Sequence, residues 1–344
     1  MTKPYTQVTM RNLKLAIAHY NATGQIQDAL LACFDQDGNF CFHPFSYVGD
    51  IRNLFQKTIH AQLLVRISPN GQKIFLGSFI SLSKLPIELD YHHVAGHISV
   101  INTRQFSAPN LQTIGSDLHA HFATKFIAPK LHTLEGYLRA VSAKTFYAPK
   151  LQTVKGLIHA GSVKIFDAPS LQTVGGRLLA NSAAIFNVPS LQMVGGFLDA
   201  KSATSFNAPN LKTVRGYLDA RSATIFSAPN LLTITALLNA KSAKFFYTPK
   251  LKTVNGLLNA TSARSFLAQK LFTVKGNLYA NSAKFFHAPE LQTVGGCLNA
   301  KLTTTFEALK LVTVDKALIL PGATMLTAVS DGCPAAVAAI AKAL

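Results

Sequence analysis

Acid is what this chain most lacks. Of its 344 residues, 15 are Asp or Glu against 33 Lys or Arg, a formal net charge of +18, and only 14% of the chain is charged at all. Tryptophan is absent and cysteine occurs four times. So little charge beside 49% hydrophobic residues excludes an intrinsically disordered tail and argues against a long coiled coil. Four Cys in this length exclude a disulfide scaffold, and no Cys-x-x-Cys or zinc-finger spacing occurs. No run reaches the ~18 apolar residues of a transmembrane helix. Polar residues break every apolar run in Met1–Tyr20, so a secretory leader is not indicated. The expectation is a soluble protein, cytoplasmic or exported by a leaderless route. The Gly-rich phosphate loop, the H-E-x-x-H zinc motif and the G-x-S-x-G elbow are all missing, so no enzyme class and no cofactor is expected.

What is present is a repeat. Phe recurs every twenty residues from Phe106 to Phe306 without an insertion, and Leu keeps the same period from Leu111 to Leu311. With Leu111 as position 1, the unit reads L-x-T-V-x-G-x-L-x-A-x-S-A-x-x-F-x-A-P-x. Positions 1, 4, 8, 10, 13, 16 and 18 are apolar and nearly constant, so they are expected to point inward and stack on themselves. Positions 8 and 10, with variable residues around them, read as a short half-buried strand. Gly at position 6 is expected to permit a tight bend and Pro at 19 to fix an outer turn. Ala at 10 and 13 leaves room for the ring at 16, and stacked Thr at position 3 could bond between coils. One unit cannot bury its own apolar edge, so the units must stack into a solenoid. At ~4.8 Å per coil, eleven Phe-marked coils make a stack of roughly 50 Å.

The L-x-x-V-x-G-x-L-x-A-x-S-A-x-x-F-x-A-P unit resembles a bacterial leucine-rich repeat. Leu171, Val174, Leu178, Ala180 and Phe186 fall on that frame, and twenty-residue repeats are similar to those of short bacterial effector and surface proteins. The resemblance covers about two thirds of the chain and implies a bacterial interaction protein. It lacks the Asn ladder, and small Ala replaces the second strand Leu, so a straighter right-handed β-solenoid fits equally. The expected fold is therefore mainly β: a right-handed, leucine-rich-repeat-like solenoid over residues 86–320. A small α+β N-terminal cap is expected over 1–85 and a C-terminal helical cap over 321–344. In the cap, Val8–Tyr20 and Asp50–His60 read as helices. Ala29–Phe34 with Asn39–Phe42, and Leu63–Ile67 with Lys73–Leu76, read as hairpins. Cys33 and Cys41 face each other if the first hairpin forms. Tyr91–Val100 reads as a degenerate first coil, and Pro334–Leu344 as the closing helix.

Constant positions are structural, so function belongs where coils differ. On the strand face, Tyr137, Arg139, Phe197, Asp199, Lys201, Tyr217, Asp219 and Arg221 form the richest patch, with aromatic and Arg residues typical of binding hot spots. This face is the expected site for a protein partner; the plainer alternative is a solvated face whose charges pair across coils. The basic excess is localised too: residues 101–320 hold 24 Lys and Arg against 8 Asp and Glu. Position 14 carries Lys144, Lys164, Lys244, Arg264 and Lys284, and position 20 carries Lys130, Lys150, Lys250 and Lys270. Two such ridges suit nucleic acid or an anionic surface by charge alone, since aromatics are not read as interleaved with them, and they equally serve solubility. Third, His97, Asp117, His119 and His121 gather near the first coils, with His159 in the column of His119. That is a possible metal or hydrolytic site, or simply a polar face with neutral His.

Overall fold

The computed structural model describes residues 65–75, 78–81, 84–320 and 325–327. Each coil carries three strands, at positions 3–4, 8–9 and 15–17, as in Thr173–Val174, Leu178–Leu179 and Ile185–Asn187. With one break in the third sheet, the strands of the coils pair in parallel with their counterparts one coil on: Thr173 with Met193, Leu178 with Leu198, Phe186 with Phe206. The coils thus generate three parallel sheets. The first has fourteen strands, the second thirteen, and the third is divided into runs of four and nine. This is a β-solenoid of twenty-residue coils. A leucine-rich repeat contributes one strand per unit, with a helix or 3₁₀ segment opposite; here all three sides are strands, and no helix occurs among the described residues.

The core follows from the constant positions. Leu171, Val174, Leu178, Ala180, Ala183 and Phe186 of one coil are all fully buried, and the pattern repeats along the stack. The rings at position 16 form one continuous column from Phe106 to Phe306, with centroids 4.7–5.5 Å apart. Parallel pairing in strict register forces identical side chains to lie over one another, and small Ala at 10 and 13 makes the space for the rings. Two corners close with i to i+3 bonds: the Ala183 N–H donates to the Ala180 carbonyl at 3.0 Å, and Leu171 N–H to Ala168 at 3.1 Å. In the second of these Pro169 occupies the position where a fixed φ near −65° preforms the turn.

The glycines of position 6 stand in a bend just before the second strand, as expected. The one glycine with positive φ among the described residues is Gly71, in the first turn, so position 6 does not use left-handed backbone. It is also a place of close approach between coils. A Cβ on Gly276 would stand 2.8 Å from the carbonyl carbon of Gly256 and 2.9 Å from its oxygen.

The third sheet breaks between Thr145–Tyr147 and Ile165–Asp167. At this point Val163 replaces the usual Ala at position 13. Its N–H reaches the Ala160 carbonyl at 3.4 Å, against 3.0 Å for Ala183 and 2.9 Å for Ala203. Val163 brings two more methyl groups than Ala into this buried corner, while Thr303 at the same position sits beside an unbroken ladder. The ring column bridges the break, with Phe146 and Phe166 stacked at 5.3 Å.

At the N-terminal end, Val65–Ile67 and Lys73–Phe75 pair antiparallel around Ser68–Gly71, as the sequence predicts. The second of these strands, with Phe79–Ile80 and Ile87–Glu88, already stands in the three sheets. Among the described residues the stack thus already includes Lys73, before the boundary expected at residue 86. His93–Val94 and Ile98–Ser99 pair with the next coil, as a degenerate coil should. At the other end Met325–Thr327 adds a further strand to the third sheet. The expected helices, the hairpin at 29–42 with Cys33 and Cys41, and the closing helix at 334–344 lie outside the described residues, while within the helical cap expected over 321–344 the described Met325–Thr327 is a strand. No helix among those described is long and apolar enough to cross a membrane.

Candidate binding faces

The second sheet presents positions 7 and 9 outward, and register brings the expected patch together. Leu198–Asp199 pairs with Leu218–Asp219, so Phe197 lies over Tyr217 and Asp199 over Asp219. The two rings stack at 4.4 Å with 13° between planes. On the other side of Phe197 stands a residue the sequence reading did not single out: the Arg177 guanidinium sits 4.3 Å from the ring centroid. Arg177, Phe197 and Tyr217 therefore form one cation–π and aromatic stack along three coils. Burial, and then the carboxylates of Asp199 and Asp219, push the Tyr217 phenol above its ordinary pKa, so it stays a neutral hydrogen-bonding group.

Asp219 is 4% exposed. Its Oδ1 accepts the Arg221 Nε–H at 3.0 Å and the Arg221 backbone N–H at 3.1 Å, while Oδ2 accepts Nε–H at 2.9 Å and a second guanidinium bond. These hydrogen bonds and the Asp219 charge raise the Arg221 pKa above its already high value. The pair forms within one coil and not across coils, because the register places Asp199 and Asp219, two like charges, side by side. Asp199 accepts the Lys201 backbone N–H at 3.1 Å, and Asn239, Asn259 and Asn299 do the same for the residue two further on. Position 9 therefore holds the corner through Asx turns. Sequence reading assigned these carboxylates to a partner and missed this, although the run of Asp and Asn at one position was its signal. Tyr137 and Arg139 stand three coils away from Phe197, with the Arg139 guanidinium 5.7 Å over the Tyr137 ring. They form a separate pair.

The histidine group does assemble. His119, Arg139 and His159 occupy successive places in one column. His119 Nε2 lies 3.6 Å from Asp117 Oδ2, too long for a hydrogen bond, and the His119 and His121 rings meet edge-on at 5.5 Å. Burial lowers the pKa of His97, His119, His121 and His159, and the Arg139 cation lowers the last three further, while Asp117 opposes the effect at His97 and His119. These are neutral imidazoles. Among the described residues no three His, Cys, Asp or Glu side chains converge on a metal-sized site. Asp117 accepts the Tyr137 backbone N–H at Oδ1, at 2.7 Å, and the Arg139 cation stands between His119 and His159 in their column.

The basic residues fall into two groups. Lys130, Lys144, Lys150 and Lys164 stand toward one end, and Lys244, Lys250, Arg264, Lys270 and Lys284 toward the other. In the three coils between, position 14 carries Ala184, Thr204 and Thr224. Lys130 and Lys250 donate to Asn110 and Asn230, each at 2.9 Å, and the remaining seven form no ion pair among the described residues. The reading that aromatics do not accompany these lysines is also corrected. Positions 15 and 17 face outward on the third sheet, so Phe245 and Phe285 are exposed immediately beside Lys244 and Lys284, and the Tyr247 ring lies 6.0 Å from Phe245.

Searches with the chain find no matching family model, no matching curated protein and no matching solved structure. The case for function therefore rests on the faces themselves.

Proposed function

We propose that the chain is a non-enzymatic scaffold that binds a protein partner through the outer face of its second sheet. The carrying observation is the Arg177–Phe197–Tyr217 stack, flanked by the Asp219–Arg221 pair. Parallel register and Asx-held corners fix these side chains before a partner arrives, so less rotamer freedom is lost on binding. Aromatic and Arg side chains fixed in this way are the type that dominates interface energy. The leucine-rich resemblance would add a bacterial setting. In titrations of the partner, Phe197→Ala with Tyr217→Ala should weaken affinity by at least about tenfold. Unchanged affinity in a variant of unchanged melting temperature would remove this reading.

A second reading uses the lysines: binding of nucleic acid or another anionic surface. It is supported by the two exposed basic clusters, most of whose members have no acidic partner among the described residues. It requires affinity that falls steeply with salt, and binding indifferent to salt would sink it.

A further inference from the structure

The outer face of the third sheet carries a feature that the second sheet does not share. Position 15 there is Ile165, Ile185, Ile225, Phe245 and Phe285, with Ser205 and Ser265 at the intervening coils. The three Ile and Phe285 are 43–57% exposed. Tyr147, at position 17, is exposed on the same face, so six of the sixteen large apolar side chains exposed on the described residues stand here. Register aligns the side chains of position 15 in one column. From Ile165 to Phe285 it runs six coil steps, roughly 29 Å at ~4.8 Å each. Where Ser205 interrupts the row, Ile185 and Ile225 wall a groove of about 580 Å³ that reaches Phe206 and is also lined by Asp167, Asn187 and Asn207. A row of exposed large apolar side chains on one face of a solvated protein marks an interaction site.

The charge around the row selects what covers it. Basic clusters stand at both ends, the apolar centre is uncharged at positions 14 and 20, and the carboxylate of Asp167 on this face accepts a hydrogen bond from Asn187. A second copy of the chain would bring +18 against +18. A nucleic acid would meet the lysines and could stack on Phe245 and Phe285, but it would leave Ile165, Ile185 and Ile225 in water, because aliphatic side chains offer no stacking face. An anionic bilayer satisfies both parts: its headgroups take Lys and Arg, and its interfacial layer takes Ile, Phe and Tyr along a continuous plane.

We infer that the third sheet docks on an anionic lipid bilayer, the Ile and Phe row entering the headgroup layer and the two basic clusters holding acidic headgroups on either side. This rests on the lysine reading above and names its partner. The protein partner's face, on the second sheet, stays free to bind while the chain lies on the membrane.

The test is co-sedimentation of the full chain with phosphatidylcholine vesicles, with and without phosphatidylserine. Two variants accompany it. One replaces Ile185, Ile225, Phe245 and Phe285 by Ser and keeps the charge; Ser205 and Ser265 show that the column accommodates serine. The other is Lys244→Gln, Arg264→Gln, Lys284→Gln. Because the chain has no Trp, Phe285→Trp supplies a single fluorescent reporter. The wild type should bind the anionic vesicles and not the neutral ones. Each multiple variant should partition at least about tenfold less, and the emission of the introduced indole should shift to the blue on binding. If the serine variant binds like wild type and the emission does not move, attraction is by charge alone, and the lysine reading survives without this inference. Binding to a single-stranded oligonucleotide but not to vesicles overturns the bilayer and keeps the lysines' anionic role. Binding to neither overturns both.

Discussion

Removing one ring from the middle of the Phe column gives a stability loss that can be worked from the packing. Phe266 is fully buried and stacks on Phe246 at 4.8 Å and on Phe286 at 4.7 Å, within 4° of parallel on both sides. Phe266→Ala removes a buried aromatic and leaves a cavity walled by the stacked coils. Such changes cost about 3–5 kcal/mol. Strict register prevents the neighbouring coils from closing the gap, because each is held by three ladders, so the upper part of that range applies. Phe106 stacks on Phe126 alone among the described rings, at 5.3 Å. One aromatic contact is worth about 0.5–1.5 kcal/mol, so Phe106→Ala should cost less than Phe266→Ala by roughly that amount. Phe266→Leu, which keeps most of the volume, should cost about 1–2 kcal/mol. Urea unfolding followed by circular dichroism measures all three, and hydrogen exchange locates the damage. In a stack where each coil contacts only its neighbours, protection should fall first around residues 246–286. A Phe266→Ala loss below about 1 kcal/mol, or protection lost evenly along the chain, would refute the reasoning.

Other outcomes follow from particular contacts. Gly276→Ala places a Cβ 2.8 Å from Gly256 backbone that cannot yield, and should destabilise by about 1–3 kcal/mol in the same unfolding assay. Val163→Ala should let the third sheet close between Tyr147 and Asp167, slowing exchange of the Ala148 and Lys164 amides, since the two extra methyl groups at that corner are removed. Acidification should lower the melting temperature below about pH 6.5. His97, His119, His121 and His159 have folded pKa values depressed below the unfolded one, so the unfolded chain binds protons first as pH falls. The His119→Gln, His121→Gln, His159→Gln variant should flatten that slope. An unchanged slope would show that burial does not govern these imidazoles.

Much of this was legible because a solenoid turns one-dimensional periodicity directly into structure. A residue constant at twenty-residue intervals, such as Phe186 or Ala183, has to be inside, since only a buried environment repeats identically in each coil. The Ser68–Gly71 turn was legible for a local reason, its turn residues between two apolar strands. What escaped had other causes. The leucine-rich frame drew attention to one strand per coil, so Ile185-Phe186-Asn187, which alternates out, in, out, was not seen as a third strand presenting Ile185 to solvent. Asp219 and Asn239 at one position signal a corner-holding hydrogen bond, but a carboxylate beside an Arg also looks like a binding group, and spacing alone does not separate the two. The close approach of coils at Gly276 was not read because the bend already accounts for a glycine there. Arg177 was overlooked because its partner ring lies twenty residues away.

The central claim, that the varied face of a fixed rod recognises a protein, is tested most directly by capture from nuclease-treated lysate. Wild-type chain and the Phe197→Ala, Tyr217→Ala variant are run side by side, and the bound proteins are quantified. The account predicts a defined protein held by the wild type, unaffected by nuclease and lost from the variant. The same protein on both baits, or capture abolished by nuclease, would contradict it.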